Sequence, residues 1–322
     1  MAEIEYRSLG KSGLMVSTIG LGCNNFGRAG TATADQAGTT AVIEAAIAAG
    51  VTLFDTADIY GAERGLSETL MGHALRGNRD KIVLATKFGM DMNGLNGPDW
   101  NARGSRRYIR RAVEGSLRRL QTDWIDLYQL HQPDPNTPIE ETLDALDDLI
   151  GEGKIRYIGH SNLAGWQVAE AEFTARLASH PRFISAQNEY SLLVRDAEDE
   201  VLPAVNAYGL GFLPFFPLYN GLFTGKFSRD GGPTDSRIMM LRRHLVEDAP
   251  WDLLEAYQDW CDERDVTMLA ATLAWLLAQP GLTSVIAGAT TPEQIRQNAD
   301  AATAWRPSAV EVAWISDLFA PT

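Results

Sequence analysis

The sequence predicts a (β/α)8 barrel of the TIM type, with an N-terminal β-hairpin and long loops at the C-terminal face. Three observations carry that prediction. Eight short runs rich in Val, Ile and Leu alternate with longer stretches whose apolar residues recur at helical spacing. Strands that alternate with helices pair in parallel. Eight such units also fit the 322 residues of the chain, a size at which a parallel sheet closes on itself. An open doubly wound sheet is the structural rival. No internal repeat, low-complexity tract or linker interrupts the rhythm, so a single domain over 1–322 is expected.

Ahead of the barrel, residues 6–9 and 14–17 flank Gly10-Lys11-Ser12-Gly13, a hairpin pattern suited to plugging the barrel bottom. The strands then fall at 18–22, 51–55, 82–86, 124–130, 155–159, 183–188, 211–215 and 284–287. Among the helices, 33–49 is alanine-rich and ends against Gly50, a residue suited to a left-handed C-cap. A second helix spans 105–120. A third, 138–152, opens with Pro138 in its first turn behind Thr137. Two stretches break the pattern: 88–104, rich in Gly and Asn, and 228–250, which carries several arginines. Loops of that length in a compact fold are usually functional or mobile.

Composition narrows the function classes. The formal charge is −14, with a sequence pI near 4.8, which opposes general attraction to nucleic acid or to an anionic membrane surface. An anionic ligand needs a local basic patch. The N-terminal residues carry no basic region followed by an apolar stretch, and the longest apolar run, 266–278, is too short to span a bilayer. Two lone cysteines, Cys23 and Cys261, suggest neither a disulfide scaffold nor a zinc site. A reducing cytoplasm is the expected setting, and no metal centre is expected.

In a barrel of this kind the chemistry belongs at the C-terminal strand ends. There the chain places Asp55 with Tyr60 five residues on, then Lys87, then His131, after three successive strands. Singly, each has an ordinary reading: a turn-forming aspartate, a surface lysine, a hydrogen-bonded histidine, an aromatic wedge beside Gly61. Jointly they supply a carboxylate, a phenol, an ammonium and an imidazole. An ammonium beside a phenol stabilises phenolate and lowers its pKa from about 10, which makes tyrosine a usable general acid.

Several segments, in order, resemble the aldo-keto reductase superfamily: "FDTADIYG", "LATKFG", "IDLYQLHQPD", "IRYIGHSN", "QNEYSLL" and "GATTPEQIRQN". The resemblance runs over nearly the whole chain and implies a nicotinamide-dependent (β/α)8 oxidoreductase. It makes Asp55, Tyr60, Lys87 and His131 a catalytic tetrad in which Tyr60 is the acid or base. It places Ser161, Asn162 and Gln187 at the nicotinamide carboxamide, Gly22 and Cys23 at a further cofactor contact, and Gln294 and Asn298 at the adenine. The stretch from Gly221 to Lys226, with Ser236 and Arg237, resembles the pyrophosphate-binding segment of bacterial members.

Two departures from the family pattern stand out. After the seventh strand the chain reads Phe215-Phe216-Pro217-Leu218 where many relatives have Tyr-Ser-Pro-Leu, so Phe215 keeps a ring for stacking and loses the hydroxyl. Around Gly288 and Gln294 there is no lysine or arginine at the positions that hold the adenosine 2′-phosphate in better-known relatives. The resemblance therefore implies NADP(H) and leaves NAD(H) open. The implied substrate is a small aldehyde, ketone or alcohol. Its walls are expected from Phe26, the loop with Met90 and Trp100, and the long loop after Lys226. His160 is expected to be a strand-end histidine with its hydrogen bonds met. The alternative function is a nicotinamide-binding, redox-sensing regulatory module with little turnover.

Overall fold

The computed structural model of the chain describes residues 4–234 and 236–320, apart from the Arg237 side chain. The first elements are β1 (Tyr6–Ser8), β2 (Met15–Ser17), β3 (Ile19–Gly22), α1 (Gln36–Ala48), β4 (Leu53–Asp55), α2 (Leu66–Ala74) and β5 (Val83–Phe88). Next come α3 (Arg106–Leu120), β6 (Ile125–Leu130), α4 (Ile139–Gly151), β7 (Ile155–Ser161), α5 (Gly165–Ala178), β8 (Ser185–Gln187), α6 (Val201–Tyr208) and β9 (Gly211–Phe212). Two short helices follow, α7 (Arg237–Leu241) and α8 (His244–Glu247), then α9 (Trp251–Asp262), α10 (Met268–Leu277), β10 (Val285–Gly288), α11 (Pro292–Ala304) and α12 (Ala309–Leu318).

All eight expected barrel strands form one parallel sheet in the order β10-β3-β4-β5-β6-β7-β8-β9. Backbone hydrogen bonds join its two outer strands through the residues that flank them: Phe212 N donates to Gly281 O at 2.8 Å, Thr283 N to Phe212 O at 3.0 Å, and Ile286 N to Pro214 O at 3.2 Å. The sheet therefore closes, as the alternating pattern predicts.

Closure divides the apolar residues into two cores. Leu53, Ala85, Leu127, Leu213 and Ile286 fill the barrel interior, and Leu9 and Val16 of the N-terminal hairpin pack into the same cluster. The hairpin plugs the barrel, as expected. Its turn passes so close to the strands that a Cβ on Gly10 would lie 2.6 Å from Gly211 N, and φ there is +58°, so only glycine fits. The larger core lies between the strands' outer faces and the helices, with Phe54, Leu84, Tyr128 and Ile158 among its members. Burial on both faces explains why the strands read as near-continuous apolar runs.

The element ends differ from the sequence pattern for local reasons. Helix α1 begins after Asp35, whose carboxylate accepts from Gly38 N, so its boundary follows the cap. At its other end Gly50 has φ +80°, the expected left-handed conformation. Pro138 is the N-cap of α4, with an extended ψ of 139°, rather than its first helical residue. The seventh strand shortens to two residues, because Pro214 has no N–H for the ladder. The 228–250 stretch contains α7 and α8 and is therefore partly helical.

Candidate active site

The register brings four polar side chains to the upper interior of the barrel. Lys87 pairs with Gln129 across β5 and β6, and Ser161 with Gln187 across β7 and β8. Asp55 ends β4. Lys87 is fully enclosed; its Nζ donates to Asp55 Oδ2 at 2.6 Å and to Thr56 O at 3.0 Å. The other carboxylate oxygen, Asp55 Oδ1, accepts from Gln129 Nε2 at 3.1 Å and Gln187 Nε2 at 3.0 Å. Asp55 is thus a buried carboxylate whose two oxygens accept from three side chains.

Tyr60 lies beyond β4, its loop set by Tyr60 N donating to Ala57 O and Ser67 N to Tyr60 O, each at 3.1 Å. The following turn needs glycine, because Gly61 has φ +118° and a Cβ there would lie 2.7 Å from Leu66 Cβ. Lys87 Nζ is 5.3 Å from the Tyr60 ring centroid. The His131 ring meets the Tyr60 ring edge-on at 5.7 Å. His131 is anchored by its backbone N–H on Phe88 O at 2.8 Å, and its carbonyl accepts from Asn162 Nδ2 at 2.9 Å.

Electrostatics assigns protonation states. Burial works against the Lys87 ammonium, but Asp55 and then Tyr60 outweigh it and hold its pKa above the ordinary lysine value. Burial, helped by Lys87, pushes the His131 imidazole well below its ordinary value, so it is neutral at pH 7. At Tyr60 the structure corrects the expectation of a lowered phenol pKa. Burial pushes it up; Lys87 pulls it down and Asp55 adds to the rise, with a net shift upward. Tyr60 is therefore a neutral phenol at pH 7, beside a cation.

These groups form the floor of a cavity of about 610 Å³ that also reaches the first turn of α11. Gly22, Cys23, Ser161, Asn162, Gln187, Phe215, Pro217, Leu218, Gly221, Lys226, Gly288, Gln294 and Asn298 all line it. So do Asp55, Tyr60 and His131, whereas Lys87 lies enclosed behind them. The side chain of Arg237 lies outside the described residues. Two predicted contacts are partly engaged by the protein itself. The amide nitrogen of Gln187 is committed to Asp55, and Gln294 Oε1 accepts from Thr290 N at 2.7 Å.

Of the expected pocket walls, the long loop after Lys226 does line the cavity, through Phe227, Pro233, Ser236 and Met240, and the other two need correction. Phe26 is wholly buried in the helix-side core, and Trp100 is 72% exposed; neither, nor Met90, lines the cavity. The 88–104 loop instead docks outside the barrel through Asn96 and Tyr108, the latter donating to Met90 O at 3.1 Å. His160 is likewise not a satisfied histidine: it is fully buried, neither ring nitrogen has a protein partner, and burial lowers its pKa to about 3. It packs edge-on against Phe183 at 5.2 Å and takes no part in the cavity. Cavity residues that the sequence pattern did not single out include Thr31, Asn220 and Gln297. Asn220 carried one usable signal, an Asn-Gly pair, and it adopts the left-handed conformation at φ +59°.

A sequence profile described as the aldo/keto reductase family matches residues 18–318. The chain belongs to that family. This aldo/keto reductase is 40% identical over 301 residues to the uncharacterized oxidoreductase YrpG of Bacillus subtilis, covering 91% of this chain and 89% of that one. It is 36% identical over 300 residues to probable aldo-keto reductase 1 of Glycine max, covering 92% and 84%. It is 34% identical over 307 residues to a probable voltage-gated potassium channel subunit beta of Arabidopsis thaliana, covering 92% and 90%.

Family membership makes this protein an oxidoreductase of a family that generally uses a nicotinamide cofactor and acts on small-molecule carbonyl substrates. The donor set fits such a cofactor. Asn220 Oδ1 and His131 Nδ1 are buried without protein partners, and Lys226 supplies a cation on the cavity wall. The cavity also reaches the N-terminus of the 13-residue α11, where Thr291 lines it. Gln294, Gln297 and Asn298 offer amides for a heterocycle. Among the described residues no helix is long and apolar enough to cross a membrane, and no cluster of His, Cys, Asp or Glu is arranged to hold a metal ion.

Proposed function

We propose that this aldo/keto reductase interconverts aldehydes or ketones and alcohols with NADP(H), in the cytoplasm, using Tyr60 as general acid and base. One observation carries the reading: a neutral phenol and a neutral imidazole meet edge-on at 5.7 Å above a buried Lys87–Asp55 ion pair. A bound nicotinamide supplies or accepts the hydride. Tyr60 gives its proton to the carbonyl oxygen as negative charge develops there. Lys87 stabilises the phenolate left behind, and Asp55 keeps that buried ammonium charged. His131, held neutral, donates an N–H to the same oxygen and orients it. In alcohol oxidation Tyr60 takes the proton back.

The nicotinamide carboxamide falls to Ser161, Asn162 and Gln187, and the pyrophosphate to Lys226 and the backbone near Gly221. The neutral amides at α11 leave NAD(H) as a competing cofactor, so both forms belong in the first assay. Tyr60→Phe should lower kcat at least about a thousandfold while cofactor Kd, read by nicotinamide fluorescence, stays unchanged. Retained turnover would remove Tyr60 from its role. The similarity to a potassium channel subunit supports a second reading, a nicotinamide-binding module that reports redox state. Tight cofactor binding with negligible oxidation across a panel of aldehydes and ketones would favour it.

A further inference from the structure

Asp55 receives more hydrogen bonds than an ion pair with Lys87 requires, and one of the donors comes from outside the cavity. Gln129 is fully buried on β6, faces Lys87 across the ladder, and donates Nε2–H to Asp55 Oδ1 at 3.1 Å. Its own Oε1 is buried without a protein partner. An amide oxygen left unmet in a barrel interior costs stability, and a methionine of the same length would avoid that cost. What a methionine cannot do is donate to Asp55.

We infer that Gln129 is a positioning residue for the proton transfer, holding Asp55 Oδ1 so that Oδ2 stays fixed on Lys87. With Gln187 it forms a two-amide clamp that prevents the carboxylate from turning. Gln187 lines the cavity and Gln129 does not, so the two amides are separable: one meets a ligand and the other serves Asp55 alone. The clamp also spreads the Asp55 charge over two donors. Asp55 pushes the Tyr60 phenol up and Lys87 pulls it down, so a carboxylate relieved of one donor neutralises Lys87 more fully and leaves Tyr60 a weaker acid.

This inference rests on Tyr60 being the acid, so Tyr60→Phe runs alongside as the control for that reading. Gln129→Met should lower kcat about tenfold or more, the scale of a hydrogen bond to a charged group. KM for the carbonyl and cofactor Kd should stay within about twofold of wild type, and the alkaline limb of the kcat profile should move to higher pH. In an Asp55→Asn background the same change should cost little further, because the charge being positioned is gone. Without cofactor, denaturant unfolding of the two single variants and the double should show the same coupling. Gln129→Asn, one methylene shorter, is expected to repeat the pattern and serves if the methionine variant does not fold. A wild-type kcat and pH profile in a folded Gln129 variant would overturn the inference, as would losses that add in full to those of Asp55→Asn. If Tyr60→Phe keeps its turnover, the unfolding cycle still decides whether Gln129 holds Asp55.

Discussion

Asp55 and Asp58 belong to one short segment, both at most 3% exposed, and the fold treats them in opposite ways. Asp55 points into the barrel, where Lys87, Gln129 and Gln187 all donate to it. Asp58 lies outside the barrel wall, where its one side-chain donor is Asn96 Nδ2 at 3.3 Å and its Oδ1 has no protein partner. Nearby Glu68 of α2 already occupies Arg119 of α3 at 2.7 Å and Thr86 at 2.6 Å. Burial and then Glu68 push the Asp58 pKa well up, against a weaker pull from Arg119 and Asn96. One carboxylate is met by three side-chain donors, and the other, met by one, holds its proton more tightly and anchors the 88–104 loop through Asn96. Partners, more than burial, decide which form a buried carboxylate takes.

The most disruptive way to probe the contrast is to remove the charge that has partners. Asp55→Leu leaves Lys87 enclosed and unpaired, and should lower unfolding stability by about 3–5 kcal/mol. Asp55→Leu with Lys87→Met should recover most of that stability and none of the turnover, as read by denaturant midpoints and cofactor oxidation.

Asp58→Asn should do little harm, because asparagine resembles the neutral acid that burial and Glu68 favour. Its signature is in pH. The folded pKa is raised, so the folded state holds a proton that the unfolded chain releases above about pH 4, and stability falls as pH rises from there toward the folded value, by about 1.4 kcal/mol per unit. The Asn variant lacks that loss, so its advantage over wild type in thermal unfolding should widen from pH 4 upward. A constant gap would mean that Asp58 is ionised.

The smallest effect is expected at His160, a group with no partner at all. Its pKa falls from 6.5 to about 3, so below pH 6.5 the unfolded chain takes up a proton that the folded state refuses. Stability should therefore drop as pH falls through that window. His160→Leu should remove the drop and gain on the order of 1 kcal/mol at mildly acidic pH, measured by urea unfolding. No change between pH 7 and 5 would point to an internal water that pairs with the ring.

Much of the site was legible from the chain alone. Asp55, Tyr60, Lys87 and His131 stand at or just beyond strand ends, and strand ends of a parallel barrel converge, so spacing along the sequence already implied proximity in space. The residues around Ser161, Gln187 and Gln294 were legible by resemblance, because each belongs to a contiguous motif. Gln129 was not, since it reads as one polar residue in a buried strand and its meaning comes from a carboxylate 74 positions away. Two of the three pocket walls were also misread, whereas the loop after Lys226 was read correctly. Phe26 and Trp100 follow strands that border the site, but which way a loop folds depends on what it packs against, and Asn96 draws the second loop away from the mouth.

By itself, then, the sequence determined the number and direction of the strands, the hairpin plug and which polar groups gather at the strand ends, because apolar periodicity and turn chemistry act over neighbouring residues. Only the tertiary structure decided the protonation states: a neutral Tyr60 and His131, a charged Lys87, and an Asp58 that holds its proton more tightly than a free carboxylate. Desolvation and the placement of a partner's charge set a pKa, and both arise from residues that the chain brings together only when the barrel closes.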